Sequence, residues 1–482
     1  MELFNVLASD VAISFLGGTY DISLNWVGKL VKILISSGVG VGLGVILFSL
    51  ILKVIVLPFD VFQRIAMRKQ NTKMKENKDK MEKLQKQYAN DKKMYNQKLM
   101  EIQKQNGISM LSSCLPMILS MVVFFVAIGA FNAYSKYAAV ENYNAMATAF
   151  TDKVNEYVVD FDEETDEVKN DKYSLVSQDS KNYIKVEEDG KLIYCLIPTE
   201  KTTEDGLQAE ALAYTGIKYY YVDGNAFKNH IETQKGAEYY TATFAKEGIT
   251  EEEYQTAVKA YFDNIGAQEA KATYENEIME KTKFLWVKNI WAVDASYKHP
   301  ILSHKDFTTE LSAGGCGCGN NGSFETANGE KLKMDKDGVI AGTNVYEENN
   351  YNKVTMLLGE QKEKANGYFI LIALSIGTIL LQQFVTMRSQ KEQQKYSSAD
   401  GQSASTQKMT MIMMTAMFGI FSFMYSSAFS IYMITSNLFS LGSTLLINKC
   451  VDVSLRKKEQ KALQEKYNRR LPRENKDNKK RK

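Results

Sequence analysis

The sequence predicts an all-α polytopic membrane protein with five transmembrane helices, a cytoplasmic helical hairpin and a small α+β extracellular insertion. Five apolar stretches are each about long enough to cross a bilayer as a helix. The segments between them alternate between basic and acidic composition. Strand and turn patterns are confined to one long segment between the second and third stretches. The formal net charge of +2 and 45% hydrophobic content look ordinary because hydrophilic segments dilute the spans.

The five spans follow from hydropathy over a window as wide as a bilayer. They are predicted at 38–59, 109–135, 368–387, 409–425 and 427–448. The fourth is short and runs almost directly into the fifth, so these two form a tight transmembrane hairpin that turns near Ser426 and Ser427.

The distribution of basic residues predicts the orientation of the chain in a plasma membrane. Lysine and arginine outnumber acids in 60–108, 388–408 and the tail 449–482, so these segments are predicted to be cytoplasmic. The segment 136–367 begins with many acids and is predicted to be extracellular. The N-terminus is also predicted outside and the C-terminus inside.

The first segment, 1–37, shows no cleavable signal peptide, because it lacks a basic start and a long apolar core. Apolar residues recur there at helical spacing: Leu24, Val27, Leu30, Val31 and Leu34. This pattern predicts an amphipathic helix lying on the outer membrane surface. The alternative is a frayed extension of the first span.

The segment 60–108 has a heptad-like pattern typical of two packed helices. Its apolar positions are Met67, Met74, Met81, Leu84, Tyr88, Tyr95, Leu99 and Ile102. We expect an antiparallel helical hairpin that contacts a negatively charged or membrane-surface partner. The alternative is a hairpin that is merely solvated.

The insertion 136–367 is predicted to be a small α+β domain. Residues 183–197 alternate around Asp189 and Gly190 and predict a β-hairpin, while Thr250 and Glu253 form a capping box that opens an amphipathic helix. The function of this domain cannot be predicted from its sequence.

No catalytic, cofactor-binding or metal site is predicted. His230, His299 and His304 fall in no recognisable metal or triad spacing, and Cys316 and Cys318 lack a zinc framework. Whether these two cysteines pair with Cys195 is left open. Cys114, in the second predicted span, and Cys450, at the end of the fifth, are expected to be unpaired packing residues.

Lys53 is the one charged residue within the five predicted spans. An ionised side chain at membrane depth costs roughly 3 kcal/mol on insertion scales unless it meets water or a partner. We therefore expect a water-accessible cavity beside it. The alternative is snorkelling to the inner headgroups, since Lys53 lies five residues, about 8 Å, before Pro58.

Seven motifs occur in order along the chain: LILKVIVLPFDVFQ, MEKLQKQY, LSSCLPMILSMVVFF, FLWVKNIW, LLQQFVTM, MTMIMMTAMFGIF and SIYMITSNLFSL. They resemble the YidC/Oxa/Alb family of membrane protein insertases, and the resemblance covers all five spans. It implies a non-enzymatic insertase and chaperone in a bacterial plasma membrane, with a hydrophilic groove open to cytoplasm and lipid. Lys53 stands where the family has an arginine, which changes the geometry of the cation and keeps its charge.

Other polar residues of the spans are candidates for lining this groove. They are Ser49, Ser120, Gln382, Gln383, Thr386, Ser430, Tyr432 and Asn437. For the hydroxyl residues the competing interpretation is a hydrogen bond to their own helix or a neighbouring one. The adjacent glutamines are better candidates, because an amide facing lipid is costly.

The implied partners are nascent membrane proteins, the lipid bilayer, the ribosome through the basic tail and hairpin, and the Sec translocon. No DNA partner and no cofactor is predicted, and no phosphate-binding loop is found. Lipid binding or solvation could also explain the basic tail. The alternative functions are a small-solute transporter or channel that uses Lys53 as its binding charge, and a membrane-anchored extracellular sensor or adhesin.

Overall fold

The structure is a computed structural model of the chain. It describes residues 16, 18–22, 24–36, 38, 40–76, 78–105, 111–159, 161–162, 167–168, 173–178, 181–188, 191–196, 202–204, 207–214, 218–243, 251–312, 323–325, 331–389 and 403–470. These form two compact units. We call them the insertion unit (Met1–Ser23, Lys136–Thr282 and His299–Lys364) and the bundle unit (Leu24–Ser135, Lys283–Lys298 and Ala365–Lys482).

The first helices of the chain precede the insertion. They are α1 (Trp26–Ser36), α2 (Val41–Glu76), α3 (Lys78–Gln87), α4 (Lys92–Gln105) and α5 (Leu111–Asn155). α1 packs against α2, with Val27 and Val31 buried. α2 passes through Pro58 without a break and continues beyond the predicted end of the first span. α5 likewise continues beyond 135, so its last turns belong to the insertion unit.

α3 and α4 pack on each other as a helical hairpin. Tyr95 and Leu99 are buried at its centre, and Leu84, Tyr88 and Ile102 pack around them. The carboxylate of Asp91 accepts a hydrogen bond from the amide of Met94 (3.0 Å) and so caps the start of α4. The side chains of Met67, Met74 and Met81 lie outside the described part of the hairpin.

The described residues of the insertion unit form four antiparallel sheets. Its strands are β1 (Asp21–Ile22), β2 (Val158–Val159), β3 (Phe161–Asp162), β4 (Glu167–Val168), β5 (Tyr173–Gln178), β6 (Lys181–Glu188), β7 (Lys191–Leu196), β8 (Thr202–Glu204), β9 (Leu207–Tyr214), β10 (Lys218–Asp223), β11 (Ser323–Glu325) and β12 (Lys331–Lys333). The sheet orders are β1-β11-β12, β2-β10-β9-β8, β3-β4 and β5-β6-β7. β6 and β7 form the β-hairpin predicted from the sequence, and its turn at 189–190 lies outside the described residues.

Seven further helices are described in the insertion unit. They are α6 (Gly224–Lys235), α7 (Ala237–Thr243), α8 (Glu251–Thr273), α9 (Met279–Thr282), α10 (His304–Ser312), α11 (Glu348–Val354) and α12 (Gly359–Glu363). α8 begins where the capping box was predicted, although Thr250 and the side chain of Glu253 lie outside the described residues. A partly buried ion pair of Asp263 and Lys353 (3.9 Å) joins α8 to α11.

The chain's N-terminal segment is part of the insertion unit, which the sequence does not reveal. β1 pairs with β11, about 300 residues later in the chain. The hydroxyl of Tyr346 donates to the carbonyl of Tyr20 (3.0 Å) and accepts from the amide of the same residue (2.8 Å). Asn144 on α5 also donates to that carbonyl (3.0 Å). The backbone of Tyr20 is therefore satisfied by side chains of the insertion.

The last three helices return to the bundle unit. They are α13 (Ile370–Ser389), α14 (Ser403–Met424) and α15 (Ser427–Arg470). α15 packs against both α2 and α13, and α14 packs against α13. The break between α14 and α15 falls at Tyr425 and Ser426, where the turn was predicted.

Four described helices are long and apolar enough to cross a membrane. They are Val41–Phe62, Met121–Asn155, Ile370–Arg388 and Ser427–Ser454, and a shorter apolar segment, Thr415–Met424, belongs to α14. Large apolar side chains on their outer faces are exposed, which is what a lipid environment requires. The prediction of a mostly helical membrane protein is therefore confirmed, with four such helices found where the sequence predicts five spans.

Candidate functional site

Lys53 lies on the buried face of α2. Ser49 one turn before it and Val56 one turn after it are both buried, while Lys53 itself is half-buried. Val54 and Ile55 point the other way and are exposed. The lysine therefore belongs to the more buried face of α2, a helix that packs against α15.

The same face of α2 carries a second charged residue, Asp60, which is also buried. It lies two helical turns, about 10 Å, beyond Lys53 and within the apolar segment Val41–Phe62. Asp60 lies one residue beyond the first predicted span, which ends at residue 59, and was therefore not predicted as a site residue. The pattern that marks it is its spacing of seven residues from Lys53, which repeats the same helix face.

Three polar contacts join α13 to its neighbours. The hydroxyl of Thr415 donates to Gln383 Oε1 (2.8 Å), and the amide of Asn437 donates to Thr378 Oγ1 (3.3 Å). Ser375 and Ser422 share a hydrogen bond (3.0 Å). Each contact places polar atoms between helices, which is where membrane helices use them. We call this set the polar seam.

Two of the remaining predicted groove residues bond to carbonyls of their own helix. The hydroxyl of Ser49 donates to the carbonyl of Val45 (2.6 Å), and that of Thr386 donates to the carbonyl of Gln382 (2.9 Å). Both hydroxyls thus make the bond to their own helix that was considered as the alternative. Gln382 is half-buried, and the side chain of Ser120 lies outside the described residues.

Buried polar side chains continue along α15. Ser430, Tyr432 and Asn437 are buried, as are Ser440 and Thr444 further along the helix. Within the described part of the chain, the hydroxyl of Ser430 has no hydrogen-bond partner. An unpartnered buried hydroxyl is costly in an apolar interior, so this position is suited to a polar guest or a water molecule.

Aromatic rings from four helices contact one another within the bundle. The ring contacts, measured between centroids, are Phe48–Phe131 (5.4 Å), Phe131–Tyr432 (5.8 Å), Phe429–Tyr432 (6.2 Å), Phe124–Phe429 (5.9 Å) and Phe124–Phe418 (4.9 Å). This aromatic layer connects α2, α5, α14 and α15. Lys53 follows Phe48 by five residues and Asn437 follows Tyr432 by five, so each lies about 7.5 Å from the layer along its helix.

The segment 289–294, which we call the end clamp, joins the starts of two bundle helices. The carbonyl of Ala292 accepts bonds from the amide and hydroxyl of Ser427 (2.8 and 2.7 Å) at the start of α15. The hydroxyl of Ser135 donates to the carbonyl of Trp291 (2.8 Å), which ties α5 to the same segment. The bond from the Ser427 amide satisfies one of the N–H groups that the start of a helix leaves unpaired.

Asp294 caps α13 from the end clamp. It is fully buried, and its Oδ1 and Oδ2 accept bonds from the amides of Tyr368 (2.8 Å) and Leu371 (2.6 Å). A carboxylate is favoured there by the helix dipole and by the free N–H groups. Gly367 is needed because a Cβ at that position would overlap Asp294. Asp294 has no local sequence pattern that marks it as a cap of a helix 76 residues later.

Two observations concern metal binding and free thiols. Among the described residues, no group of three or more His, Cys, Asp or Glu side chains is placed to hold a metal ion. Cys450 is unpaired and exposed, so the prediction that it is a packing residue is wrong. It lies near the end of the apolar part of α15. Cys316 and Cys318 lie outside the described residues.

Comparison with known proteins gives a consistent result. The profile of the 60Kd inner membrane protein family matches residues 34–171 and 339–457. A membrane protein insertase YidC of Fusobacterium nucleatum is 32% identical over 88 residues, which is 18% of this chain and 41% of that protein. The YidC of Clostridium perfringens is 32% identical over 90 residues, 18% of this chain and 36% of that protein.

A YidC of Leptospira interrogans is 31% identical over 91 residues, 19% of this chain and 14% of that protein. The chain thus spans less than half of the length of each of these relatives. No solved structure matches the chain. The family profile nevertheless covers more than half of the 482 residues, so the chain belongs to the 60Kd inner membrane protein family, which contains the YidC-type insertases.

Proposed function

We propose that the protein is a membrane protein insertase and chaperone that works without enzymatic chemistry. Membership of the 60Kd inner membrane protein family supports this, as do three relatives named membrane protein insertase YidC. The observation that carries the mechanism is the position of Lys53 on the inward face of α2, beside the helix that bears Ser430 and Asn437.

The proposed groove runs along Lys53, Ser49, Asn437 and the polar seam, with Ser120, Gln382, Thr386, Ser430 and Tyr432 as further lining residues. A cation in confined water lowers the cost of bringing a short acidic or polar segment partway into the bilayer. The substrate's apolar helix then moves sideways into lipid, and burial of its apolar surface supplies the driving force. The aromatic layer supports closure of the groove at its extracellular end, opposite the opening to the cytoplasm.

The same proposal includes the topology predicted from the sequence. Five spans cross a bacterial plasma membrane, with the N-terminus and the insertion unit outside and the C-terminus inside. α15 continues as a helix to Arg470, past the apolar segment that ends at Ser454, and so extends the basic tail away from the bundle. That extension supports a salt-sensitive contact with ribosomal RNA. Cooperation with the Sec translocon remains part of the proposal.

Replacement of Lys53 tests the groove. In a bacterium depleted of its own insertase, the chain should support growth, Lys53→Ala should fail, and Lys53→Arg should recover activity because the charge is kept. Membrane levels of each variant are measured by immunoblotting, so that loss of function is not confused with loss of protein. Full activity of Lys53→Ala at normal protein levels would contradict the groove mechanism.

Photo-crosslinking tests the same idea directly. A photoreactive residue at position 53 should crosslink to a ribosome-bound nascent membrane protein. The matched control is position 55 on the exposed face of the same helix turn, where Ile55 has 62% of its surface exposed. Crosslinks to lipid without nascent chain are expected there. Equal nascent-chain crosslinking from both positions would show that the chain does not enter beside Lys53.

A further inference from the structure

A short apolar turn, Phe284–Val287, stands at the end of the bundle where α2 begins. The turn is closed by two backbone hydrogen bonds, from Phe284 N to Val287 O (2.9 Å) and from Val287 N to Phe284 O (3.0 Å). Its tip, Leu285, has 69% of its surface exposed and a φ of 55°. A leucine in the left-handed region is strained, and glycine would adopt this backbone at no such cost.

The turn lies at the boundary of the apolar part of the bundle. The ring of Phe284 packs directly on Gly42, so closely that a Cβ at position 42 would overlap it. Gly42 is the second residue of the apolar segment Val41–Phe62. The end clamp follows the turn within the same stretch of chain and holds the starts of α13 and α15. The apolar helices therefore begin at the level of this turn.

A second exposed apolar feature belongs to the same end of the bundle. α1 packs on α2 through its buried Val27 and Val31 and leaves Trp26, Leu30 and Ile33 exposed as one stripe. Tryptophan and leucine on an exposed helix face are typical of membrane-surface helices. The exposed tip of the turn thus shares its end of the bundle with a helix that has the character of an interfacial element.

The charges beside the turn match a phospholipid surface. Lys283 immediately precedes the turn and Lys288 immediately follows it, and no acidic residue lies between them. An apolar tip with flanking cations places its side chain among acyl chains and its charges among phosphates. A docked soluble protein offers no comparable reason for this order of residues.

We propose that the Phe284–Val287 turn is a lipid anchor that inserts Leu285 into the headgroup and acyl-chain boundary of the leaflet at the start of α2. The strained leucine directs an apolar side chain outward at a level where only lipid can bury it. The anchor fixes the depth of the end clamp, and hence of the starts of α13 and α15, in the membrane. This inference does not depend on the insertase function.

Site-directed spin labelling of the full chain in phosphatidylcholine and phosphatidylglycerol vesicles tests the proposal. In a background with all five cysteines replaced by serine, Leu285→Cys carries the label. Oxygen should reach it better than a water-soluble nickel chelate does, at a depth of about 5–10 Å. Trp26→Cys is the membrane-surface reference, and Glu101→Cys on the exposed face of α4 is the aqueous reference.

Two results would overturn the proposal. One is a label at position 285 as accessible to the nickel chelate as the label at position 101, which would place the turn in water. The other is a label that neither reagent reaches, which would show that a protein surface, such as a second copy of the chain, covers the turn.

A second measurement separates anchoring from folding. With Trp26→Phe and Trp291→Phe, Trp286 is the sole tryptophan and its quenching by brominated lipid reports the depth of the turn. Leu285→Gly should reduce this quenching while the midpoint of thermal unfolding stays equal or rises, because glycine removes the strain. Leu285→Met, which keeps an apolar tip, should retain the quenching. Unchanged quenching in Leu285→Gly would also overturn the proposal.

Discussion

Replacement of Asp294 by alanine should destabilise the bundle unit more than any other single loss of a helix cap among the described residues. The variant leaves two amide groups, those of Tyr368 and Leu371, without their charged acceptor. Hydrogen bonds to charged groups contribute about 1.5–3 kcal/mol each. The bond to Leu371 is fully buried and that to Tyr368 is partly exposed, so we expect a cost of about 3–5 kcal/mol in the free energy of unfolding.

The assay is unfolding in mixed detergent micelles followed by tryptophan fluorescence. All three tryptophans, Trp26, Trp286 and Trp291, lie in the bundle unit, so the signal reports that unit alone. The matched control is Asp91→Ala, which removes an exposed cap from α4 and should cost about 1 kcal/mol, within the hairpin. The reasoning is refuted if Asp294→Ala costs no more than Asp91→Ala.

Three further predictions concern other contacts. A double-mutant cycle of Gln383→Leu and Thr415→Val should give a coupling free energy of about 0.6 kcal/mol in the same unfolding assay. Zero coupling would mean that the 2.8 Å hydrogen bond from Thr415 to Gln383 is not formed in the membrane. Tyr346→Phe removes both hydrogen bonds to the backbone of Tyr20. Hydrogen exchange of the amides of residues 18–22 should therefore accelerate several-fold. Unchanged exchange would show that Tyr346 does not hold this segment. Burial raises the pKa of Asp263 above its ordinary 3.8, so its protonated form favours the folded state. This stabilisation is complete below pH 3.8 and is lost as the pH rises through the raised pKa. In urea titrations over that pH range, the wild type should therefore lose stability relative to Asp263→Asn. Parallel pH dependences of the two proteins would contradict the prediction.

The helical membrane architecture was predictable because its signals are local. A bilayer requires a long run of apolar residues with every backbone group satisfied inside the helix, and each run can be read without knowing its neighbours. The inward position of Ser430 and Asn437 was predictable for a related reason, since polar side chains in such a run avoid lipid. The full length of α2 and α5 was not predictable from hydropathy, because a helix continues past its apolar run wherever no residue favours its termination.

The end clamp could not be predicted, because its bonds join distant parts of the chain. Asp294 meets Tyr368 across 74 residues, and Ala292 meets Ser427 across 135. Neither pair carries a local pattern that distinguishes it from ordinary loop residues. The pairing of β1 with β11 is hidden for the same reason. Asp60 differs from these residues, because it lies seven residues after Lys53 and therefore on the same helix face, a relation that the sequence alone contains.

The aromatic layer bears on proton and ion leakage across the membrane. A bacterial membrane stores an electrochemical gradient, and a polar opening that traverses it completely would dissipate that gradient through proton and ion leakage. Contacts among rings of four helices, centred on Phe131 and Tyr432, oppose a continuous file of water there, because close-packed side chains leave few voids as large as a water molecule. We therefore expect vesicles that contain the protein to remain tight to protons, and Phe131→Ala to be the variant that makes them leak.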